Sequence, residues 1–147
     1  MPELTPRIVA QVQKSYVEIR PMAHEVGVQF YQLLFRRNPE LRPLFGGDID
    51  AQARKIMQML ELMVNSLSRF DDIVPALCEF ARRHREYGVV DAHYPMVGEA
   101  LIWTLARVQG PRFTYELEHA WHTVYQAIAE TMMAAARPAA PANDIRV

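Results

Sequence analysis

The sequence predicts an all-α fold, and two observations carry that prediction. Apolar residues recur at intervals of three and four along most of the chain, which is the spacing of a helix with one buried face. Hardly any segment alternates apolar and polar residues with the period of two that half-buried strands show. The periodic segments are separated by proline, glycine or capping residues, so the chain divides into a series of helices.

The first part of the chain predicts two long helices and a short one. Thr5 followed by Pro6 places a capping hydroxyl before a proline at the first helical position, and Pro21 ends this helix. A second helix extends to about Arg37, and a short helix ends at Phe45. Four longer segments follow. Their predicted limits are Asp48 or Asp50 to Leu67, Arg69–Asp72 to Gly88, Pro95 to Gly110, and Thr114 to about Arg137.

Composition predicts one domain and excludes several classes of site. The chain has 147 residues, 16 Lys and Arg against 17 Asp and Glu, and a single cysteine, Cys78. This composition predicts a domain over residues 1–137 and a disordered Ala- and Pro-rich tail over residues 138–147. One cysteine excludes an internal disulfide and a cysteine-based zinc or iron–sulfur site. The near-neutral charge and the absence of a signal or long apolar run favour a cytoplasmic protein with no nucleic-acid or membrane partner.

Three polar residues interrupt predicted apolar faces. His84 follows Leu77 and Ala81 by seven and three positions, which predicts a place on the buried stripe of its helix. Gln52 lies one turn into the long helix, and Tyr31 flanks the stripe of the second helix. A carbonyl-bonded core histidine, a half-exposed glutamine and a surface tyrosine are the ordinary alternatives. Together, an imidazole facing a hydroxyl and an amide across an apolar slot suits a haem with a polar distal pocket.

An ordered set of short motifs supports the haem interpretation. The motifs are Phe30–Phe35, Asn38–Leu41, Leu44-Phe45, Gln52–Lys55, Arg82–His84, Tyr87–Val90 and His93–Gly98. Through them the chain resembles the bacterial single-domain globins, similar to the haem domain of flavohaemoglobins and to the globins of thermoacidophilic methane-oxidising bacteria. The resemblance covers about residues 5–136.

The resemblance implies a globin fold, a three-on-three helical sandwich around haem b, and assigns roles to individual residues. His84 resembles the proximal iron ligand, whose second ring nitrogen would bond a carbonyl one turn earlier, that of Phe80. Tyr31 and Gln52 resemble the distal pair that hydrogen-bonds dioxygen. Other residues resemble cofactor contacts: Phe45, Lys55 (or Arg54 at a propionate), Ile56, Tyr94 and Val97.

The function that the resemblance implies is reversible binding of dioxygen, and also of nitric oxide and carbon monoxide, at a five-coordinate ferrous iron. This includes oxygen transport or storage as a role. One alternative is a nitric oxide dioxygenase that takes electrons from a separate reductase, because a chain of this length is expected to hold one domain. Another is a six-coordinate electron-transfer or sensor globin.

One position departs from the flavohaemoglobin pattern. Those proteins carry a glutamate late in the last helix that bonds the proximal imidazole together with a tyrosine like Tyr94. The matching place here is Ala136, and Glu130 is about a turn and a half away. The departure weakens the case for peroxidase-like chemistry.

The remaining histidines and methionines have ordinary interpretations. We expect His24 to face solvent, His93 to cap a helix, and the methionine stripe to fill the core. His119 and His122 have the spacing of a metal-binding pair but no nearby carboxylate or cysteine at a matching position. The methionines of the stripe are Met57, Met59 and Met63.

Overall fold

All regular secondary structure in the described part of the chain is helical. A computed structural model describes residues 2–137, and the predicted tail at 138–147 lies outside the described residues. The six α-helices are α1 (Pro6–Ile19), α2 (Ala23–Arg37), α3 (Ile49–Asn65), α4 (Phe70–Glu86), α5 (His93–Gln109) and α6 (Tyr115–Ala136). Short 3-10 turns connect several of them, and residues 2–137 include no strand. The predicted all-α class is confirmed.

Three side-chain caps explain where α1, α3 and α6 begin. The hydroxyl of Thr5 accepts from the Ile8 amide, and that of Thr114 accepts from the Leu117 amide. The sequence offered Asp48 or Asp50 as the residue that caps α3. In the structure Asp48 is the cap, because its carboxylate accepts a 2.7 Å hydrogen bond from the Ala51 amide. Each cap satisfies one of the amides that a helix leaves unpaired at its start.

Two predicted helices are shorter than expected or change type. The helix predicted through Leu67 ends at Asn65, and a 3-10 turn carries Leu67 into the core. The segment predicted to end at Phe45 is a 3-10 helix over Pro39–Leu44. A proline within that segment lacks the amide hydrogen that a continuous α-helix would use. The end of α4 agrees with prediction, since Gly88 has a φ of 98°, in the left-handed region that favours glycine.

Close packing between α2 and α3 brings the two predicted distal residues onto adjacent helices. A Cβ added to Gly27 of α2 would lie 2.9 Å from both the Cβ and the carbonyl oxygen of Ala53 in α3. Only a glycine permits this approach without displacing backbone. Tyr31 lies one turn after Gly27, and Gln52 directly precedes Ala53. The glycine therefore sets the spacing between the helices that carry Tyr31 and Gln52.

A buried polar network joins α1, α5 and α6 at the centre of the core. The Ser15 hydroxyl donates to Gln109 Oε1 at 2.6 Å and accepts from Trp121 Nε1 at 3.0 Å. Trp121 is fully buried. Gln109 Nε2 is also buried and has no hydrogen-bond partner among residues 2–137. One hydroxyl thus satisfies polar groups from two other helices.

None of the helices within the described range is both long and apolar enough to span a lipid bilayer.

Candidate functional site

Tyr31 lies in a cluster of aromatic rings. It is 3% exposed, and its ring centroid is 4.8 Å from that of Phe30, 5.6 Å from that of Phe35 and 5.3 Å from that of Phe45. Phe45 follows the short 3-10 helix, so the cluster joins α2 to the segment before α3. The structure therefore brings together two of the predicted site residues, Tyr31 and Phe45.

The Tyr31 hydroxyl is a donor without a protein acceptor, on a side chain that is only 3% exposed as a whole. No residue in the described range forms a hydrogen bond with it. Burial raises the pKa of Tyr31 well above its usual value near 10, because the apolar surroundings disfavour the phenolate. The group therefore remains a neutral O–H donor at physiological pH.

An arginine holds the segment that carries Phe45. Arg42 Nη1 donates to the Phe45 carbonyl at 2.7 Å, and Nη2 donates to the Gly47 carbonyl at 3.0 Å. The same guanidinium lies 5.1 Å from the ring centroid of Phe35. These contacts fix the backbone at Phe45. The sequence analysis did not predict a role for Arg42, although its position three residues before Phe45 and just ahead of a glycine pair could have indicated one.

Gln52 contacts the loop rather than the aromatic cluster. Its Nε2 donates to the Gly46 carbonyl at 2.5 Å, and the side chain is half-buried. An amide nitrogen carries two hydrogens, so one donor remains after this bond. Ile56, one turn further along α3, is partly buried against the core, whereas Arg54 and Lys55 are exposed.

His84 makes the hydrogen bond that the resemblance implied. Its Nδ1 lies 2.7 Å from the carbonyl oxygen of Phe80, one turn earlier in α4. A carbonyl only accepts, so Nδ1 carries the proton and the lone pair of the neutral ring resides on Nε2. The bond thus fixes both the tautomer and the direction of the ring.

The predicted burial of His84 is wrong for this structure. Leu77 and Ala81 on the same face of α4 are 1% and 0% exposed, but His84 is exposed. Neighbouring residues therefore bury this face of α4 at its central turns, whereas the last turn of α4 is exposed. The helical period placed the residue on the correct side of α4, but it could not predict where the covering helix stops.

Tyr94 and Val97 lie in the first turns of α5, and α6 fixes this segment. The Tyr125 hydroxyl donates to the Tyr94 carbonyl at 2.6 Å. The Tyr125 ring lies so close to Gly98 that an added Cβ would be 2.5 Å from Cε2. Val97 and Tyr94 are both partly buried against the core. Burial raises the pKa of Tyr94, with a further contribution from the Asp91 carboxylate.

Ala136, which matches the position of the flavohaemoglobin glutamate, and Glu130 both lie on α6. Ala136 is the last residue of α6, and its carbonyl accepts a hydrogen bond from Arg85. Glu130 Oε1 accepts from Gln126 at 3.3 Å, and Oε2 is buried without a partner among residues 2–137. Neither residue contacts His84 or Tyr94 through a described hydrogen bond.

The other histidines make simple surface contacts. His24 is exposed and lies 3.2 Å from an Asp50 carboxylate oxygen, and His93 Nδ1 accepts from the Val90 amide at 3.1 Å. His119 and His122 are exposed on α6. Within residues 2–137, no cluster of three His, Cys, Asp or Glu side chains could hold a metal ion.

Comparison with known families identifies the chain. The family model described as Globin matches residues 28–132, which is more than half of the sequence. The chain belongs to the globin family. This globin is 25% identical over 130 residues to an uncharacterised globin-like protein of Aquifex aeolicus, covering 88% of this chain and 92% of that protein.

Longer relatives share the same domain. A flavohemoprotein of Bacillus cereus is 28% identical over 130 residues, which cover 84% of this globin but 31% of the relative. The globin therefore spans about a third of the length of the flavohemoproteins that it matches. Their further regions have no counterpart in the aligned part.

Solved structures confirm the globin fold. An engineered carbene transferase, described as a candidate nitric oxide dioxygenase from Rhodothermus marinus, superposes with a TM-score of 0.82 at 26% identity, covering 91% of this chain and 94% of that one. A bacterial globin from Campylobacter jejuni superposes with a TM-score of 0.80 at 18% identity, covering 90% and 96% of the two chains. The second similarity concerns the fold alone.

The donor set of this globin fits a haem. Family membership and the flavohemoprotein relatives imply haem binding. In globins a histidine holds the haem iron, and His84 would offer an Nε2 lone pair, since its other ring nitrogen is already bonded. The Tyr31 hydroxyl, which has no protein acceptor in the described range, is a second group that a ligand would satisfy.

Proposed function

We propose that this globin binds haem b through His84 and reversibly binds dioxygen, and also nitric oxide and carbon monoxide. The observation that carries the proposal is the 2.7 Å bond from His84 Nδ1 to the Phe80 carbonyl. It leaves the opposite nitrogen unprotonated and orients the ring, which are the two properties that an axial ligand needs. When bound, haem b supplies a ferrous iron that takes up a diatomic gas.

Tyr31 is the residue that we assign to gas stabilisation. Its ring is buried, and its hydroxyl is protonated and has no protein acceptor, so it can donate to a ligand that gains partial negative charge. Gln52 is a second donor in this proposal, with the amide hydrogen that its bond to Gly46 leaves free. The apolar residues Phe45 and Ile56 would contact the porphyrin, and Lys55 at the surface would pair with a propionate.

The test is the absorption spectrum of the purified full-length chain. We expect a Soret band, which His84→Ala abolishes or greatly weakens. The matched control is His119→Ala, which removes an exposed histidine from α6 and should leave the band unchanged. Cycling the reduced protein between argon and air should shift the band reversibly. A wild-type protein that stays colourless after addition of hemin would contradict the proposal.

Nitric oxide dioxygenation is the second candidate, favoured by the printed description of the Rhodothermus marinus structure and by the flavohemoprotein relatives. Nitric oxide and dioxygen would combine to nitrate, with one electron lost from the ferrous iron, so that a reductase must return it. Nitric oxide consumption is measured under oxygen with and without a flavin-dependent reductase. Sustained nitric oxide consumption that requires the reductase supports a dioxygenase function. Consumption of one nitric oxide per protein, with or without the reductase, supports a gas-binding function.

A further inference from the structure

A cleft lies between α2 and α5. None of the residues that line it has a role in the proposed haem site. Its volume is about 240 Å³. The residues from α2 lie at positions 29, 32, 33 and 36, which is the spacing of one helical face. The principal lining side chains are Gln29, Gln32 and Arg36 from α2, and Trp103 and Arg107 from α5.

The cleft has two positive charges and no negative one. Arg36 and Arg107 are exposed and form no hydrogen bond or ion pair with any residue of the described range. No carboxylate lines the cleft. Arg37, whose guanidinium lies 4.9 Å from the ring centroid of the cleft residue Trp103, is already paired with Glu99 at 2.7 Å.

Most other arginines of this chain are matched to an acceptor. Carboxylates pair with Arg7, Arg20, Arg37, Arg82, Arg83 and Arg112, and backbone carbonyls pair with Arg42 and Arg85. The formal net charge of the chain is −1. Two unpaired guanidinium groups in one cleft are therefore a local excess of positive charge, although single unpaired cations such as Arg54 and Arg69 also occur elsewhere on the surface.

The polar groups of the cleft are mainly donors. Each guanidinium offers five N–H groups, and each glutamine amide offers two. Neither Gln29 nor Gln32 has a hydrogen-bond partner within residues 2–137. The hydroxyl of Thr104, which also lines the cleft, already donates to the Ala100 carbonyl at 2.8 Å. Such a donor set suits a ligand that carries several acceptor oxygens.

Size and charge together select the ligand class. The cleft is smaller than the lower limit of about 300 Å³ for sites that enclose drug-sized ligands. Arginine pairs with phosphate through two parallel hydrogen bonds, which a chloride ion cannot form. We propose that the α2–α5 cleft binds a phosphate-class anion through Arg36 and Arg107, either free inorganic phosphate or the phosphate group of a mononucleotide.

The test is an NMR titration of the arginine side-chain Nε–H groups in the full chain. Sodium phosphate replaces sodium chloride at constant ionic strength, so that general screening stays unchanged. We expect saturable shifts at Arg36 and Arg107. Arg36→Gln and Arg107→Gln keep hydrogen-bonding groups but remove charge, and each should weaken binding by about tenfold or more. Arg69→Gln is the matched control, because Arg69 is exposed, without a described partner and outside the cleft.

A parallel titration with adenosine monophosphate distinguishes the two sources of the phosphate group. Tighter binding than inorganic phosphate assigns the cleft to a mononucleotide, and equal or weaker binding assigns it to the free anion. An absence of saturable shifts at Arg36 and Arg107 would overturn the proposal, as would equal affinity in wild type and both cleft variants. Far-ultraviolet circular dichroism confirms that the variants are folded.

Discussion

The Tyr125 hydroxyl donates a 2.6 Å hydrogen bond to the backbone carbonyl of Tyr94. The bond connects the middle of α6 to the first turn of α5, where a candidate haem-contacting residue lies. Close contact of the Tyr125 ring with Gly98 fixes the same pair of helices one turn further along. Two features of a single side chain therefore determine where Tyr94 and Val97 lie.

Tyr125→Phe should remove the hydrogen bond and keep the ring. We expect the free energy of unfolding to fall by about 1 kcal/mol, the usual net value of one intramolecular hydrogen bond. Urea unfolding followed by circular dichroism measures the change. Tyr115→Phe is the control, because Tyr115 is 92% exposed. Equal stability of the two variants would mean that the bond contributes nothing.

Gly98→Ala should destabilise the protein although alanine favours helices. The added Cβ would lie 2.5 Å from Tyr125 Cε2, so the ring must move. Overpacking costs about 1–3 kcal/mol, whereas the gain in helix propensity is about 1 kcal/mol, so a net loss is expected. Gly46→Ala is the control, since no atom lies within 4 Å of its added Cβ. A variant as stable as Gly46→Ala would show that moving the ring costs no more than the gain in helix propensity.

Tyr31→Phe should speed the release of dioxygen. The hydroxyl is the donor assigned to the bound gas, and loss of a hydrogen bond to a partly charged acceptor corresponds to about a 10- to 100-fold change in the dissociation rate constant. Stopped-flow displacement by carbon monoxide gives the dissociation rate constant. Identical rate constants in the variant and the wild type would remove Tyr31 from the site.

Alkaline conditions should destabilise the protein through its buried tyrosines. Burial raises the pKa of both Tyr31 and Tyr125 in the folded state above the unfolded value near 10. The unfolded chain therefore loses protons first, and the free energy of unfolding declines as the pH rises above about 10. Urea unfolding between about pH 7 and pH 11 should show a shallower decline in Tyr125→Phe than in wild type. Parallel curves would contradict this origin.

Ser15→Ala should be one of the costly single changes in the core. It leaves both Gln109 Oε1 and Trp121 Nε1 without their partner. Each unsatisfied buried polar group costs about 1–3 kcal/mol, so the two together are expected to lower the free energy of unfolding by about 2–6 kcal/mol. Ser68→Ala, at an exposed position, serves as the comparison in the same urea titration. A loss below about 0.5 kcal/mol would indicate that the core rearranges to restore both bonds.

The sequence by itself determined the helical class and most helix limits. Spacing of apolar residues and local caps are short-range properties, so Thr5, Thr114 and Gly88 could be assigned without neighbours in space. The globin family could also be predicted, because the order of its motifs is carried by the chain. The resemblance also implied the bond from His84 to the Phe80 carbonyl. This bond spans only one helical turn, so it does not depend on a neighbouring helix.

Only the tertiary structure decided what long-range packing controls. It placed the Gln52 amide on the Gly46 carbonyl, left the last turn of α4 exposed at His84, and positioned α5 through Tyr125. It also brought Arg36 and Arg107 from separate helices to one cleft. The physical reason is the same in each case: a helical period gives the face on which a side chain lies, but the group opposite depends on how closely two helices approach, which small residues such as Gly27 and Gly98 set.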